Sequence, residues 1–239
     1  MLKKTITVRI SSFLFFCVCF ILCGNSRLIA QSQLKVSYKV YCELIDRSAI
    51  NSPAFVTIAE HARDVRTYIE KMIFELKITG KKSLFNNVDV LTEKNSVRRT
   101  AMILTQSGDY YKDFELQKFF KKVIFANKQF NVDFSADNSW VQSTEYKNIL
   151  GYKCFMATKK NNSRIIAWYC PSIYSSDGPL NFYGLPGLIL EVTAGNYTYV
   201  AYKIDFQLLK EITYDITTII SEEQFIKIKE NYMSENPVR

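Results

Sequence analysis

Residues 178–190 combine several glycines and prolines with apolar side chains in a way that no regular helix or strand tolerates. Glycine adopts positive φ angles at no steric cost, and proline fixes φ near −65°. The side chains between them are too apolar for a solvated loop. We therefore expect a shaped structural turn that folds onto a core and leads into a buried strand. Its structural residues are Gly178, Pro179, Gly184, Leu185, Pro186, Gly187, Leu188 and Ile189.

The first thirty residues have the pattern of an export signal. Lys3, Lys4 and Arg9 precede an apolar run from Ser11 to Leu22, and Ala30 is a suitable cleavage point. The run is short for a bilayer span, so a membrane anchor is the weaker alternative. Lipidation of Cys23 is disfavoured because large residues precede it. We predict a signal peptide over 1–30 and an exported protein, periplasmic or associated with the outer membrane.

The remaining segment, 31–239, is long enough for one core and contains no linker or repeat, so we predict a single domain. Removing the signal reduces the basic count from 31 to 27, against 23 acidic residues. This balance, without an Arg-rich stripe, gives no indication of nucleic-acid binding.

Alternating side chains dominate the segment. Residues 34–44 alternate apolar and polar side chains, which is typical of a half-buried antiparallel strand. Similar runs at 101–105, 118–126 and 140–146 predict further strands, and hairpins are expected to turn at Asn161-Asn162 and at 194–196. Helices are predicted after Ser52 and after Ser221, where Gln224 completes a capping box. The expected fold is mainly β (α+β): a curved antiparallel sheet or half-open barrel with one or two short helices.

Several short motifs follow one another in residues 140–206: Trp140, residues 149–154, Ala167-Trp168-Tyr169, Gly178-Pro179 and the hexapeptide at 184–189. Together they resemble the GLPGLI family of exported bacterial proteins. The resemblance implies a protein of the Gram-negative envelope and no assigned activity, so no catalytic residues follow from it. Cys170 departs from the family pattern, which more often has Thr before the proline.

The sequence offers little for catalysis. The single histidine, His61, lies in a predicted helix, so a hydrolytic triad would depend on it alone. Nothing has metal-ligand spacing, and we predict no metal, no cofactor and no catalytic residue. Asp177 and Glu191 flank the glycine-proline segment and are the best candidates for a carboxylate pair. Asp177 is more simply explained as a turn residue and Glu191 as a solvent-facing strand residue.

Three cysteines follow the predicted signal. Cys42, Cys154 and Cys170 are an odd number in a compartment that permits disulfides, so at least one is not bridged within the chain. A two-residue turn at Asn161-Asn162 would place Cys170 one residue out of register with Cys154. The possible disulfide therefore joins Cys154 to Cys42 or to Cys170.

Aromatic residues crowd the approach to the glycine-proline segment. Trp168, Tyr169, Phe182 and Tyr183 form a binding platform if they are exposed, and fill the core if they are buried. The favoured function is a non-catalytic envelope protein that binds an apolar or peptide-like ligand or docks on an envelope partner. The alternative is a carboxylate-dependent periplasmic hydrolase.

Overall fold

The computed structural model describes residues 33–43, 53–88, 96–134, 139–214 and 218–236, with side chains of the first helix from residue 60 onwards. The predicted signal peptide and Ser52 lie outside these residues. The strands are β1 (Gln33–Cys42), β2 (Ile73–Thr79), β3 (Lys82–Asn87), β4 (Asp109–Asp113), β5 (Lys118–Phe125), β6 (Lys128–Asp133), β7 (Trp140–Ile149), β8 (Tyr152–Lys159), β9 (Asn162–Cys170), β10 (Leu188–Ala194), β11 (Tyr197–Asp205) and β12 (Ile219–Ile220). The helices are α1 (Pro53–Lys71), α2 (Ser96–Leu104) and α3 (Glu222–Glu235).

The described strands form one sheet in the order β12-β6-β5-β4-β3-β2-β1-β11-β10-β9-β8-β7. Neighbouring strands are antiparallel except for β12, which runs parallel to β6. The two end strands do not pair with each other, so the sheet is open rather than closed into a barrel. The predicted mainly β, antiparallel fold is confirmed.

One face of the sheet, the inner face, carries the main core. Alternation in β1 buries Val36, Tyr38 and Val40 completely. Phe74 stacks on Phe85 at 5.5 Å, and the rings of Tyr38, Tyr110 and Tyr199 meet Phe85 edge-on. Each fully buried ring contributes roughly 1.5–3 kcal/mol of hydrophobic stabilisation. These residues come from β1 to β4 and β11, so the core joins strands that are distant in the chain.

Helices α1 and α2 close part of the inner face. Val65 and Ile69 of α1 are buried in the main core, as is Ala101 of α2. The strand predicted at 101–105 was wrong, because these residues belong to the end of α2 and the turn that follows it. The prediction considered only the short apolar run and not the four-residue spacing from Val97 to Ala101. That spacing places both side chains on one helical face.

The opposite, outer face of the sheet is covered locally by the C-terminal part of the chain. Ile212 and Tyr214 pack on Tyr111 and Phe120, and the Tyr214 hydroxyl donates a hydrogen bond to the Asp113 carboxylate. Helix α3 begins with the predicted capping box, in which Ser221 and Gln224 bond reciprocally. Among the described residues, no helix is both long and apolar enough to cross a membrane.

The β8–β9 hairpin turns one residue earlier than predicted. Lys159 pairs with Asn162, so the tight turn is Lys160-Asn161 rather than Asn161-Asn162. The ladder then shifts between Thr158 and Lys159, after which Phe155 lies opposite Tyr169. This corrected register changes which side chains face each other farther along the two strands.

Candidate functional site

The signature loop, residues 178–187, lies between β9 and β10 and folds onto the inner face. Leu180 and Leu185 are buried, at 3% and 1% exposure. The Gly184 amide donates to the Ser176 carbonyl at 2.7 Å, and the Ile189 amide donates to the Asp177 carbonyl at 2.9 Å. The loop is therefore closed by backbone hydrogen bonds rather than held only by side-chain packing.

Gly187 lies at the tightest point of the loop. Its φ is +154°, and a Cβ atom there would lie 2.2 Å from the Cys170 carbonyl oxygen and 2.7 Å from the Pro171 nitrogen. Both neighbours are backbone atoms, which cannot rotate away. Gly184 also has positive φ, at +93°. Glycine is thus required at position 187 both for its conformation and for its lack of a side chain.

A buried ion pair supports the start of the loop. Lys112, on β4, places its Nζ 2.5 Å from Asp177 Oδ1 and 2.6 Å from the Gly178 carbonyl oxygen. The two side chains are 0% and 1% exposed. Asp177 Oδ1 also accepts the Gly178 amide at 2.7 Å, the turn contact expected from the sequence. Lys112 therefore joins β4 to the loop through two hydrogen bonds, and a third hydrogen bond, between Asp177 and Gly178, lies within the start of the loop.

Burial controls the ionisation around this pair. Desolvation lowers the pKa of Lys112, and the Asp177 carboxylate opposes that shift. Burial raises the pKa of Tyr38 well above its usual value, and the charge on Asp177 adds to the increase. The Tyr38 hydroxyl donates to the Ile189 carbonyl at 2.7 Å. Within the described residues, Asp177 Oδ2 has no hydrogen-bond partner.

These ionisable groups are sealed from solvent, which limits what they can do. A general acid or base must come within hydrogen-bond reach of its substrate. Lys112, Tyr38 and Asp177 are each at most 1% exposed, and their short contacts are to each other or to the backbone of the loop and of β10. The arrangement is suited to holding the loop against the sheet.

Phe182 and Tyr183 anchor the middle of the loop. Both are nearly buried, at 7% and 8% exposure. The Tyr183 ring stacks on Phe119 with centroids 4.6 Å apart, and its carbonyl accepts a hydrogen bond from the Trp140 indole. Phe182 packs beside Trp140 at 6.3 Å. The side chains of these two residues therefore lie between the loop backbone and the sheet.

Trp168 and Glu191 lie on the outer face, where their positions are paired across β9 and β10. The Lys147 ammonium lies 4.4 Å from the Trp168 ring centroid and 2.6 Å from Glu191 Oε2. Asp177 is bound on the inner face to Lys112. The two carboxylates considered as a hydrolytic pair are thus on opposite faces, each with its own lysine.

The four aromatic residues considered as a platform are also separated. Trp168 faces outwards, whereas Tyr169 faces inwards, is 5% exposed and donates from its hydroxyl to Gln142 at 2.8 Å. Phe182 and Tyr183 are enclosed beneath the loop. The structure therefore does not bring Trp168, Tyr169, Phe182 and Tyr183 together on one accessible surface.

A different aromatic surface is exposed where the inner face reaches its β7 edge. We call Tyr146, Lys153 and Phe155 the edge patch. Rings follow one another from Tyr169 to Phe155 to Tyr146, at 6.3 and 6.4 Å, and Tyr146 is 61% exposed. The Lys153 ammonium lies 4.1 Å from the Tyr146 centroid and 5.1 Å from that of Phe155. The apolar inner face of the sheet therefore extends past the helices and the loop that cover the rest of it.

A small surface depression lies beside residues 174–176, which come just before the signature loop. Its volume is about 100 Å³, and it is lined by Leu34, Ile78, Gly80, Lys81, Phe114, Tyr174, Ser175 and Ser176. Small-molecule sites usually enclose about 300–1,000 Å³. The depression is therefore too small to hold a lipidic ligand.

Sequence reasoning missed the two most informative lysines. Lys112 is fully buried between Tyr111 and Asp113, in a strand that the sequence did not predict. Its partner Asp177 is 65 residues away. Lys153 lies within the recognised motif 149–154, but its contact with Tyr146 depends on the β7–β8 register. The alternation of β8 was the available signal for a shared face with Phe155.

The chain is an open, mainly antiparallel sheet whose inner face is partly covered by helices and by a glycine-proline loop. The sequence profile of a family described as "Protein of unknown function (Porph_ging)" matches residues 158–191. That region contains the hexapeptide at 184–189 and represents a small part of the chain. No curated protein matches the chain significantly.

Solved structures of PNGF-II have a similar fold. The structure in space group P21 aligns with a TM-score of 0.53 and 14% identity, covering 82% of this chain. The structure in space group C2 gives 0.52 and 14%, covering 84%. The chain spans about a third of the PNGF-II chains, 33% in each alignment. At this identity the similarity concerns the fold alone.

Proposed function

We propose that this chain is a non-catalytic docking module of the bacterial cell envelope that binds a polypeptide partner through the edge patch. The observation that carries the proposal is the contrast between the buried polar groups at the signature loop and the exposed groups of the edge patch. The polar groups at the signature loop are buried and hydrogen-bonded within it, whereas in the edge patch Tyr146 and Lys153 are exposed and Phe155 is partly exposed.

The chemistry of the patch favours a partner with acidic and apolar side chains. Among the described carboxylates, none forms an ion pair with Lys153. A partner carboxylate would therefore gain a charge-assisted hydrogen bond, while an apolar partner residue would cover Tyr146. The cation–π contacts hold the Lys153 ammonium near the rings and so prepare this arrangement.

The position of β7 favours an extended partner segment. Within the described sheet β7 is an end strand, so one side of its backbone has no neighbouring strand. Its pairing with β8 shifts between Gln142 and Tyr146, a bulge of the kind that limits indiscriminate edge pairing. The regular stretch from Tyr146 to Ile149 begins at the edge patch and is open to a short partner strand.

The exported location and the family assignment belong to this proposal. The positive start and apolar run of residues 1–30 support export, and the hexapeptide at 184–189 supports membership of the GLPGLI family. The PNGF-II alignments support a modular role, because there the similar fold occupies a third of a longer chain.

Site-specific photo-crosslinking in intact cells tests the proposal. We expect p-benzoylphenylalanine at position 146 to give a discrete polypeptide adduct, and the same group at Tyr41 to give none. Tyr41 is a matched control because it is a tyrosine 51% exposed on β1. Lys153→Glu should reduce the adduct from position 146 at least fivefold while leaving the unfolding midpoint unchanged.

Three outcomes would overturn the proposal: equal capture from positions 41 and 146, no capture at either, or an adduct that protease treatment does not remove. The last result would identify a glycan or lipid as the bound species. Sequencing of the crosslinked peptide also tests its chemistry, since the proposal requires an acidic residue close to the point of attachment.

A further inference from the structure

Cys154 and Cys170 lie opposite each other on neighbouring strands. Phe155 pairs with Tyr169 and Met156 with Trp168 in the β8–β9 ladder. Continuing this register by one residue places Cys154 across from Cys170. Directly opposed residues of antiparallel strands have Cα atoms about 4.5–5.5 Å apart, which lies within the range spanned by disulfides.

The two thiols are also close enough to influence each other. Both side chains are 0% exposed, and the Cys170 thiol adds to the increase that burial causes in the pKa of the Cys154 thiol. Cys170 Sγ lies 3.0 Å from the Ser172 hydroxyl, and Cys154 Sγ lies 3.5 Å from the Tyr152 carbonyl. In the structure all three described cysteines are free thiols. The backbone thus already holds one pair in position for a bond.

Cys42 is placed elsewhere. It lies opposite Tyr197 on β11, and the Tyr197 side chain is near enough to lower the pKa of its thiol against the increase caused by burial. Strand β1 is separated from β8 by β11, β10 and β9, a distance of about 19 Å at the usual strand spacing. A bridge between Cys42 and Cys154 would require the sheet to open.

We propose that Cys154 and Cys170 form a cross-strand disulfide when the protein folds under oxidising conditions, leaving Cys42 as a thiol. The oxidant is a small-molecule disulfide of the glutathione class. One cysteine thiolate displaces a glutathione thiol to give a mixed disulfide, and the other cysteine then displaces the second glutathione. The protein loses two protons and two electrons, and the oxidant becomes two thiols.

Burial determines when this exchange takes place. Desolvation raises the pKa of the Cys154 thiol to about 12, so the folded protein holds it in the unreactive protonated form. The bridge therefore forms during folding, before β8 and β9 are enclosed.

The bridge would reinforce the signature loop. The Cys170 carbonyl is the backbone group against which Gly187 packs, and Leu188 lies opposite Cys170 in the β9–β10 ladder. Fixing Cys170 to β8 thus fixes one side of the closest backbone contact in the loop. This role is independent of the edge patch, so the two proposals fail separately.

Peptide mapping gives the test. The full chain is refolded with reduced and oxidised glutathione, alkylated under denaturing conditions without reduction, and digested with trypsin. The digest places Cys154 in peptide 154–159, Cys170 in peptide 165–203 and Cys42 in peptide 40–47. We expect peptides 154–159 and 165–203 to be joined in more than nine-tenths of the molecules, with peptide 40–47 alkylated.

Alkylation of both Cys154 and Cys170 after oxidative refolding would overturn the inference, as would a joined peptide containing Cys42. A second measurement needs no variant: reduction of the refolded protein should lower its thermal midpoint by about 5 °C or more. Cys154→Ser should abolish that difference, whereas Cys42→Ser should preserve it. An unchanged wild-type midpoint on reduction would also contradict the proposal.

Discussion

Gly187→Ala is expected to destabilise the protein by about 4 kcal/mol or more, enough to remove most of the soluble yield. The added Cβ would lie 2.2 Å from one backbone atom and 2.4 Å from another, both belonging to Cys170. Relief requires β9 and the loop to move apart, which disrupts the buried residues between them. The urea unfolding midpoint and the folded yield are the measurements.

Gly195→Ala is the matched control. Gly195 has φ of +63°, and a Cβ there meets nothing within 4 Å. This substitution incurs only the strain of a left-handed residue, about 1–2 kcal/mol. If the midpoint of Gly187→Ala equals that of Gly195→Ala, the close approach at Gly187 does not hold the loop.

Lys112→Met is expected to lower the free energy of unfolding by about 3–5 kcal/mol, because it leaves the Asp177 carboxylate buried without its cation. Asp177→Leu should cost a similar amount by stranding the Lys112 ammonium. The double variant Lys112→Met/Asp177→Leu removes both charges, so neither charge is left buried without its partner. Only the uncharged backbone groups of Gly178 lose their hydrogen bonds. The double variant should therefore be at least about 2 kcal/mol more stable than the sum of the single effects predicts.

Lys227→Met provides the comparison for this cycle. Lys227 pairs with Glu223 on α3 at 2.9 Å, but the side chains are 67% and 78% exposed. Exposed pairs contribute about 0–1 kcal/mol. Additive effects of Lys112→Met and Asp177→Leu, each as small as that of Lys227→Met, would show that the buried pair does not brace the loop. Denaturant unfolding monitored by tryptophan fluorescence measures all four variants.

The sheet could be predicted because its signal is local. Alternation in residues 34–44 records which side of β1 is buried, and the structure buries Val36, Tyr38 and Val40 as that pattern requires. The end of helix α2 was mistaken for a strand because the apolar run of four residues at 101–104 fits both periods. The order of the strands in the sheet could not be predicted from local patterns, because β1 pairs with β11, which is distant in the chain.

The signature loop could be located but not explained from its own residues. Glycine and proline spacing predicts a shaped turn, yet the reason for Gly187 is the Cys170 backbone, which only the folded chain brings near. Likewise, Asp177 looked like a turn residue because its contact with Gly178 is local. Its partner Lys112 carries no sequence pattern that distinguishes a buried lysine from a solvated one.

The cysteine register shows how one residue changes a site prediction. A turn at Asn161-Asn162 separates Cys154 from Cys170, whereas the turn at Lys160-Asn161 and the following shift bring them opposite. Turn position and ladder irregularities depend on packing of the whole hairpin. The edge patch was missed for the same reason, because Tyr146 meets Phe155 only after the β7–β8 bulge.

The role inferred for the signature loop is that of a structural brace. Hydrogen–deuterium exchange of the folded protein tests it most directly, at the Gly184 and Ile189 amides that close the loop on Ser176 and Asp177. Both amides are expected to exchange only through global unfolding, as slowly as the β1–β11 amides. Exchange at least a hundredfold faster than that of β1 would show a loop that opens in the native state, as a ligand-binding or catalytic lid does, and would rule out a bracing role.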